Sequence, residues 1–413
     1  MRVLHLAKHD HSGAGRATLR LHQGLVKVGV DCQILVDSKQ SDLKSVVKSK
    51  WRAERLTEIE YLLVDKYLGK RLVEKSDFFS INITPSLLFK QIQKIQPDLI
   101  HLHWIGAEFI KIEELCKFNL PLVWTLHDMW PFTGGCHYSQ DCRKYTQTCG
   151  ACPQLVGKQQ NDLSTSVWHR KASTWQDLNL TIVGSSLWIS QCAQDSSLLR
   201  ERATLTIPIG LDTQKYRPIE QSVARDILRL PQDKLLILFG ALRATDDYRK
   251  GFQLLQPALY KISQSELSSQ VTFAVFGASE PEIPVDLGCD TYYLGHLNDD
   301  LSLALAYSAA NVMVVPSVQE SFGQTASESL ACGTPVVAFR STGLVDIVDH
   351  MQNGYLANPY EVDDLAQGVI WVIENTKNSD ELRFNAREKA ERAFSLELQA
   401  LQYKKLYENT LNC

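Results

Sequence analysis

The sequence predicts an α/β protein with two doubly wound parallel sheets, each in a domain of its own. The chain has 413 residues, which is long for one hydrophobic core and suits two domains of about 200 residues each. In both halves, short runs rich in Val, Ile and Leu alternate with longer helical patterns. A segment punctuated by Pro and Gly, Thr206 to Pro218, separates the two halves.

The strand-like runs recur at similar intervals in each half. In the first half they lie at residues 2–7, 32–36, 98–103, 121–126 and 180–184. In the second half they lie at residues 235–240, 271–277, 291–294 and 311–315. Residues 39–76 are polar with a helical pattern, and residues 396–411 predict a final helix. Ligands of such sheets bind beyond the carboxyl ends of the strands, so polar residues at these ends are the candidates for a binding site.

Composition limits the class of protein. A hydrophobic fraction of 44% and a formal charge of −4 are typical of a globular protein and argue against a general nucleic-acid binder. The apolar run near the first residue is too short for a secretory signal, and no run is long enough to span a membrane. We therefore expect a cytoplasmic protein, with the inner face of the cytoplasmic membrane as a second place of action, and thiols rather than disulfides for most of its ten cysteines.

The most informative stretch is Pro316 to Phe339, PSVQESFGQTASESLACGTPVVAF. A β-branched run ends at Pro316, and the Ser-Phe-Gly that follows predicts the start of a helix. Glu320 and Glu328 are eight residues apart, so both carboxylates can reach one crevice. The helix start offers backbone amides to a phosphate at four positions. These positions are Phe322, Gly323, Gln324 and Thr325.

This Glu-x7-Glu pattern, with its flanking PS, SFG and GTPVV segments, resembles the signature of the retaining GT-B glycosyltransferases of the glycogen-synthase-like group (glycosyltransferase group 1, family 4). The resemblance covers nearly the whole chain and is sharpest from Arg243 to Gly354. It implies two Rossmann-like domains facing a central cleft, with a C-terminal helix that crosses back to the first domain. The implied bounds are residues 1–208, 209–390 and 391–413.

The same resemblance implies a reaction and its residues. A hexose-type sugar would move, with retention, from a nucleoside diphosphate, UDP or GDP, to a glycan or lipid-linked acceptor. Glu328 would bind the ribose and Glu320 the hexose, while Arg243 and Lys250 would bind the diphosphate. The loop around Leu297 would lie against the nucleobase. The chain has no Asp-x-Asp motif, which favours chemistry without a catalytic metal.

The first domain supplies further candidates at its strand ends. Gly13 and Gly15 lie between the first strand and helix, in a loop expected to run from His9 to Arg16. They could approach the diphosphate, or they could simply form a close turn. His127 ends a later strand beside Asp128, and the resemblance makes it the catalytic polar residue of this domain. Trp130 and Phe132 follow and could either stack on sugars or pack in the core.

A cysteine-rich loop at residues 134–154 is the most individual feature. Its thiols are Cys136, Cys142, Cys149 and Cys152. Four thiolates within one loop predict a closed structural zinc site, with disulfides, unlinked thiols, or His137 as a substitute ligand remaining open.

Three function classes remain open at this stage. The leading hypothesis is a glycosyltransferase of polysaccharide or other glycoconjugate biosynthesis. The second is a nucleotide-sugar epimerase of the same architecture, and the third is a non-catalytic scaffold that uses the cysteine loop as a contact surface. The basic, aromatic-containing segment 39–76 also suits peripheral contact with an anionic membrane, although its mixed charges favour a solvated helix face.

Overall fold

The structure is a computed structural model that describes residues 1–49, 54–74, 78–86, 88–240, 247–280 and 287–412, with side chains at all of these except 54–61 and 378. It divides into two compact units. The first consists of Met1–Pro208 together with Gln399–Cys413, and the second of Ile209–Leu398. Within the described ranges, no helix is both long and apolar enough to cross a membrane.

The first unit contains a parallel sheet of seven strands. They are β1 (Arg2–His9), β2 (Asp31–Ser38), β3 (Val46–Lys48), β4 (Leu99–Leu102), β5 (Leu122–Leu126), β6 (Leu180–Gly184) and β7 (Thr204–Thr206). Their order is β3-β2-β1-β4-β5-β6-β7, so the order reverses between β1 and β4. In a doubly wound sheet this reversal opens a crevice at the carboxyl ends of the two strands.

Five helices connect these strands, and a sixth arrives from the end of the chain. They are α1 (Gly13–Lys27), α2 (Glu54–Gly69), α3 (Phe89–Ile95), α4 (Leu163–Trp175), α5 (Leu187–Asp195) and the C-terminal α12 (Leu396–Asn412). Buried Tyr403 and Tyr407 of α12 pack with Val3, Leu99 and Val123 of the sheet. The Tyr403 hydroxyl lies 2.6 Å from Thr125 Oγ1, and the Tyr407 hydroxyl lies 2.6 Å from His101 Nδ1. The last helix is therefore part of the core of the first unit.

The second unit contains a parallel sheet of six strands. They are β8 (Leu235–Gly240), β9 (Val271–Phe276), β10 (Thr291–Tyr293), β11 (Val312–Val315), β12 (Val336–Phe339) and β13 (Gly354–Ala357), in the order β10-β9-β8-β11-β12-β13. The helices are α6 (Gln221–Leu228), α7 (Phe252–Ser263), α8 (Asp300–Ala309), α9 (Gln324–Ala331), α10 (Val362–Asn378) and α11 (Glu381–Phe394). The order of the strands is that of a Rossmann sheet, and its reversal lies between β8 and β11.

Every strand predicted from the sequence is present, but some details differ from the prediction. The helical stretch expected at residues 39–76 includes the strand β3 before α2 begins. The strands β7 and β13 were not predicted. The helix α1 begins at Gly13, inside the stretch expected to be a loop, because the Ser12 side chain accepts a hydrogen bond from Gly15 N and caps the helix there.

Candidate active site

Two loops meet at the reversal point of the second sheet, one following β8 and one following β11. Val318 N donates a hydrogen bond to Arg249 O over 2.8 Å, which joins the two loops. Gly251 has a φ of +75°, and a Cβ at this position would lie 1.8 Å from Pro316 O. Only glycine allows this approach. The glycine thus fixes the distance between the two loops that carry the candidate side chains.

Lys250 and Glu320 project from these two loops and form an ion pair between Nζ and Oε1. The same carboxylate oxygen accepts a hydrogen bond from Ser317 Oγ over 3.1 Å. Only 20% of the Lys250 side chain and 11% of the Glu320 side chain are exposed, so the pair interacts in surroundings that screen charge weakly. The structure therefore brings together two of the predicted site residues.

Glu320 is also fixed through its backbone by the loop after β12. Its N–H donates to Thr342 Oγ1 over 3.1 Å, and its carbonyl accepts from Gly343 N over 3.0 Å. The sequence analysis did not identify Thr342. No local pattern marks this residue, because its contact with Glu320 joins two separate loops.

The helix α9 starts at Gln324, a few residues after Glu320 and Phe322. Its N-cap is Gly323, with a φ of 108°, and a glycine has no side chain with which to satisfy the first-turn amides. Gln324 and Thr325 begin the helix and are half-buried. Phe322 is buried and packs edge-to-face on Phe394, with ring centroids 5.6 Å apart. This packing holds the positive end of α9 beside the Lys250–Glu320 pair.

Glu328 lies farther along α9 and is only 4% exposed. Its Oε2 accepts a hydrogen bond from the Tyr307 hydroxyl of α8 over 2.8 Å. Burial first, and the Glu328 carboxylate second, raise the pKa of Tyr307 well above its usual value. The phenol therefore stays protonated and remains a donor to Glu328. The sequence analysis did not identify Tyr307, because an aromatic residue inside an apolar helix is expected to pack in the hydrophobic core.

Two other predicted residues of the second unit have different outcomes. Leu297 is half-buried in the loop after β10, and that loop is tied to the end of β9 by a 2.7 Å hydrogen bond from Gly277 N to Gly295 O. Arg243 lies outside the described residues. Of the predicted diphosphate-binding pair, the structure therefore places only Lys250.

In the first unit, Gly13 and Gly15 lie in the first turn of α1, close to the end of β1. A Cβ on Gly15 would lie 2.4 Å from His9 O. The close approach of helix and strand thus explains this glycine without any ligand, which was the alternative left open by the sequence.

His127 follows β5 and takes part in a row of histidines. A distance of 3.1 Å separates its Nε2 from His103 Nδ1, and 3.0 Å separates His103 Nε2 from His5 Nδ1. Burial lowers the pKa of His127 to about 4, although the charge of Asp128 opposes the shift. His127 is therefore neutral at pH 7, and one imidazole nitrogen can accept a proton or a hydrogen bond.

The loop after β5 contains Trp130 and Phe132, for which the sequence left both sugar stacking and core packing open. In the same loop, Asp128 accepts hydrogen bonds from His137 Nδ1 over 2.6 Å, Trp104 Nε1 over 2.5 Å and Trp130 N over 2.9 Å. Trp130 and Phe132 are 2% and 0% exposed. Both aromatic residues therefore pack in the core, and sugar stacking is not their role in this conformation.

The four cysteines of the loop line one small cavity of about 20 Å³, and each is a free thiol. Burial, together with the neighbouring thiols, raises the pKa of Cys136 well above its usual value. Burial also raises the pKa of Cys149 to about 11 and that of Cys152 to about 12. Gly134 N donates to Cys149 Sγ over 3.2 Å.

The four thiols are suitable ligands for zinc, although their sulfur atoms must come closer together to bind one ion. Four thiols face a space the size of one atom, and a backbone N–H already serves one sulfur, as around bound zinc. Among the described residues, two groups of three ligand atoms lie within 4.8 Å of one another, and neither contains these cysteines. The sulfur atoms would have to move inward and lose their protons to bind a metal.

The two Rossmann-order sheets and the charged helix start at the second reversal point define a class: the α/β glycosyltransferases of the GT-B architecture. The family described as "Glycosyltransferase Family 4" matches residues 11–181, and "Glycosyl transferases group 1" matches residues 233–375. The chain therefore belongs to the glycogen-synthase-like group of GT-B glycosyltransferases.

The curated relatives that match this chain include glycosyltransferases. The D-inositol 3-phosphate glycosyltransferase of Acidothermus cellulolyticus is 34% identical over 279 residues, which is 64% of this chain and 57% of that protein. The enzyme of the same name from Saccharomonospora viridis is 32% identical over 203 residues, 46% of each chain. The chain thus matches about half the length of these relatives.

Solved structures agree in fold over the whole chain. Sucrose-phosphate synthase from Thermosynechococcus elongatus superposes with a TM-score of 0.70 at 20% identity and covers 99% of this chain and 98% of its own. Anabaena HepE, solved in complex with UDP-glucose, gives 0.66 at 18% identity and covers 99% and 100%. At these identities the likeness concerns the fold.

Proposed function

We propose that this protein transfers a hexose-type sugar from a nucleoside diphosphate to an acceptor hydroxyl, with retention of the anomeric configuration. The observation that carries the proposal is the Lys250–Glu320 ion pair beside the Gly323 start of α9. A cation and a helix N-terminus suit a diphosphate, and a neighbouring carboxylate suits the hydroxyls of the attached sugar.

Each side chain has a separate task in this proposal. Glu328, oriented by Tyr307, accepts hydrogen bonds from the ribose hydroxyls, and Glu320 does so from the hexose. Lys250 and the first-turn amides of α9 bind the diphosphate. An ammonium group has three N–H donors, so Lys250 can keep its contact with Glu320 while it donates to a phosphate.

The chemical step needs charge stabilisation more than a covalent intermediate. As the glycosidic bond breaks, negative charge develops on the diphosphate, and each well-placed donor is worth about 3 kcal/mol of barrier. The departing phosphate can take the proton of the acceptor hydroxyl, so Glu320 need not act as a nucleophile. Because the sequence lacks an Asp-x-Asp motif, we propose that no divalent ion is required.

The relatives and the surface of α2 support a proposal for the donor and acceptor classes. HepE was solved with UDP-glucose, so UDP sugars are the first donors to test, with GDP sugars second. Leu62, Leu63 and Tyr67 on α2 are 62%, 63% and 41% exposed, beside the exposed Asp65, Lys66 and Lys70. We propose that this face contacts an anionic membrane that carries a lipid-linked acceptor. Sedimentation with anionic and neutral vesicles tests this contact, and equal binding to both contradicts it.

Calorimetry with UDP, GDP and ADP sugars tests the donor site. We expect the wild type to bind one nucleotide class, Glu328→Ala to lose at least about tenfold in affinity, and the exposed control Glu374→Ala to match the wild type. A protein that binds no nucleotide sugar is a scaffold. Conversion of the donor without acceptor identifies an epimerase, and NMR of the product gives the anomeric configuration.

A further inference from the structure

One face of the first sheet carries polar side chains in an otherwise apolar layer. His5 of β1 pairs in register with His101 of β4, and Cys32 of β2 and His22 of α1 lie close by. His5, His22 and Cys32 are 0%, 2% and 5% exposed. Buried polar groups normally have hydrogen-bond partners, and one that lacks a partner requires an explanation.

Three donor atoms converge in this layer. One ligand atom each from His5, His22 and Cys32 lies within 4.8 Å of the other two. His22 Nδ1 is 3.1 Å from Cys32 Sγ. His5 Nδ1 is already paired with His103 Nε2 at 3.0 Å, whereas His5 Nε2 is buried and has no hydrogen-bond partner in the described part of the chain.

The surrounding contacts orient the rings as second-layer partners do in metal sites. His22 Nε2 lies 2.8 Å from Ser45 Oγ, so the outer nitrogens of both histidines are held and their inner nitrogens remain for a ligand. Burial lowers the pKa values of both histidines and raises the pKa of the Cys32 thiol to about 12, so Cys32 would have to release its proton to solvent when a metal binds.

We propose that His5 Nε2, His22 Nδ1 and Cys32 Sγ form a structural site for a zinc-type transition-metal ion. One thiolate and two imidazoles are typical ligands of zinc and of its substitute cobalt, and they are not the oxygen ligands that magnesium and calcium require. Zinc binds nitrogen at about 2.0–2.1 Å and sulfur at about 2.3 Å. The three atoms, which lie within 4.8 Å of one another, would have to draw together around the ion, and a water molecule would complete the tetrahedral coordination. The ion would join β1, α1 and β2.

A second group of three, His5, His101 and His103, also lies within 4.8 Å but suits a metal less well. His101 has both nitrogens engaged, by the Tyr407 hydroxyl at 2.6 Å and Thr125 Oγ1 at 2.7 Å. His103 is engaged on both sides by His5 and His127. The open position is therefore on the side of His22 and Cys32.

The first test is metal content after equilibration with Zn²⁺ and removal of the excess. Cys32→Ser should contain one zinc fewer per chain than the wild type. The matched control is Cys332→Ser, which changes a buried thiol of the second unit that is 2% exposed and should leave the content unchanged. His22→Gln repeats the test without changing a cysteine. Because the loop cysteines contribute equally in all four proteins, only the difference is interpreted.

Replacement of zinc by Co²⁺ gives an absorption spectrum that reports thiolate ligands. The absorption band lost in Cys32→Ser should correspond to a single thiolate. Anomalous scattering from zinc in wild-type crystals needs no variant, and a peak between His5, His22 and Cys32 is expected. The proposal is overturned if zinc content is equal in Cys32→Ser and Cys332→Ser. It is also overturned if the crystals show only a water molecule against His5 Nε2.

Discussion

The Tyr307 hydroxyl donates a hydrogen bond to Glu328, with 2.8 Å between the two oxygens, and both residues are buried. Removing this hydroxyl takes away one hydrogen bond that orients the carboxylate for a ribose. We expect Tyr307→Phe to weaken binding of the nucleotide donor by about tenfold, because hydrogen bonds to charged groups are worth about 1.5–3 kcal/mol. Calorimetry measures the effect. The control is Tyr260→Phe on α7, which is 53% exposed, and equal affinities in the two variants would contradict the assignment.

Lys250 should matter more for turnover than for folding. In Lys250→Ala the diphosphate loses a fixed cation as charge develops, so we expect kcat to fall by about 10²-fold. Steady-state kinetics with saturating donor measure this. The exposed Lys261, which pairs with Asp363 on the surface, provides the matched control Lys261→Ala. Unchanged kcat in Lys250→Ala would remove this residue from the mechanism.

Alanine substitutions at Gly251 and Gly29 separate two effects of adding a side chain where the backbone has a positive φ. Gly29 has a φ of +83° and open space where a Cβ would stand, whereas a Cβ on Gly251 would meet Pro316 O. Gly29→Ala should cost only the conformational term, about 1 kcal/mol. Gly251→Ala should cost more and should disturb donor binding, because the two loops must separate. Urea unfolding compares the free energies, and equal losses would show that the loops can adjust.

The cysteine loop should depend on zinc. We expect chelation to lower the melting temperature of the wild type and of Cys116→Ser, which replaces a thiol outside the loop. Cys149→Ser should start lower and lose less on chelation, since one of the four ligands is gone. Thermal melts with and without chelator test this. If chelation shifts Cys149→Ser as much as Cys116→Ser, the loop thiols are not ligands.

Stability should fall in mild acid because of His127. Its pKa is about 4 in the folded protein and about 6.5 in the unfolded chain, so the unfolded chain binds more protons between these values. The stabilisation is complete above about pH 6.5 and is lost as the pH falls toward 4, by about 3 kcal/mol. The neighbouring groups are His103 and Asp128. Urea unfolding from pH 7 to 4 should show a shallower loss for His127→Gln than for the wild type. Parallel curves would contradict the shift.

The sequence predicted the central strands well and the edges of the sheets poorly. β3, β7 and β13, which were not predicted, are three of the four edge strands, each of three or four residues. The fourth edge strand, β10, was predicted. Edge strands are short and partly exposed, so they lack the continuous apolar run that marks a buried parallel strand. The central strands carry that run and were found within one or two residues of their observed ends.

Some residues of the site could be predicted from local sequence, whereas others depend on contacts between distant parts of the chain. The positions of Glu320 and Glu328 follow from helical spacing and from a motif within one segment. The contacts of Tyr307 and Thr342 depend on how separate helices and loops pack, which spacing does not report. The same holds for the histidine layer: strand register can place His5 beside His101, but only the packing of α1 brings His22 to them.

The tyrosines of α12 have a consequence for biosynthesis. Tyr403 and Tyr407 complete the layer that covers Val3, Leu99 and Val123, yet they are synthesised after the whole of the second unit, Ile209–Leu398. The first unit therefore keeps part of its interior uncovered until α12 has been made. A nascent chain that terminates before Tyr403 would lack these partners permanently, and cellular quality control would encounter it as an incomplete amino-terminal half.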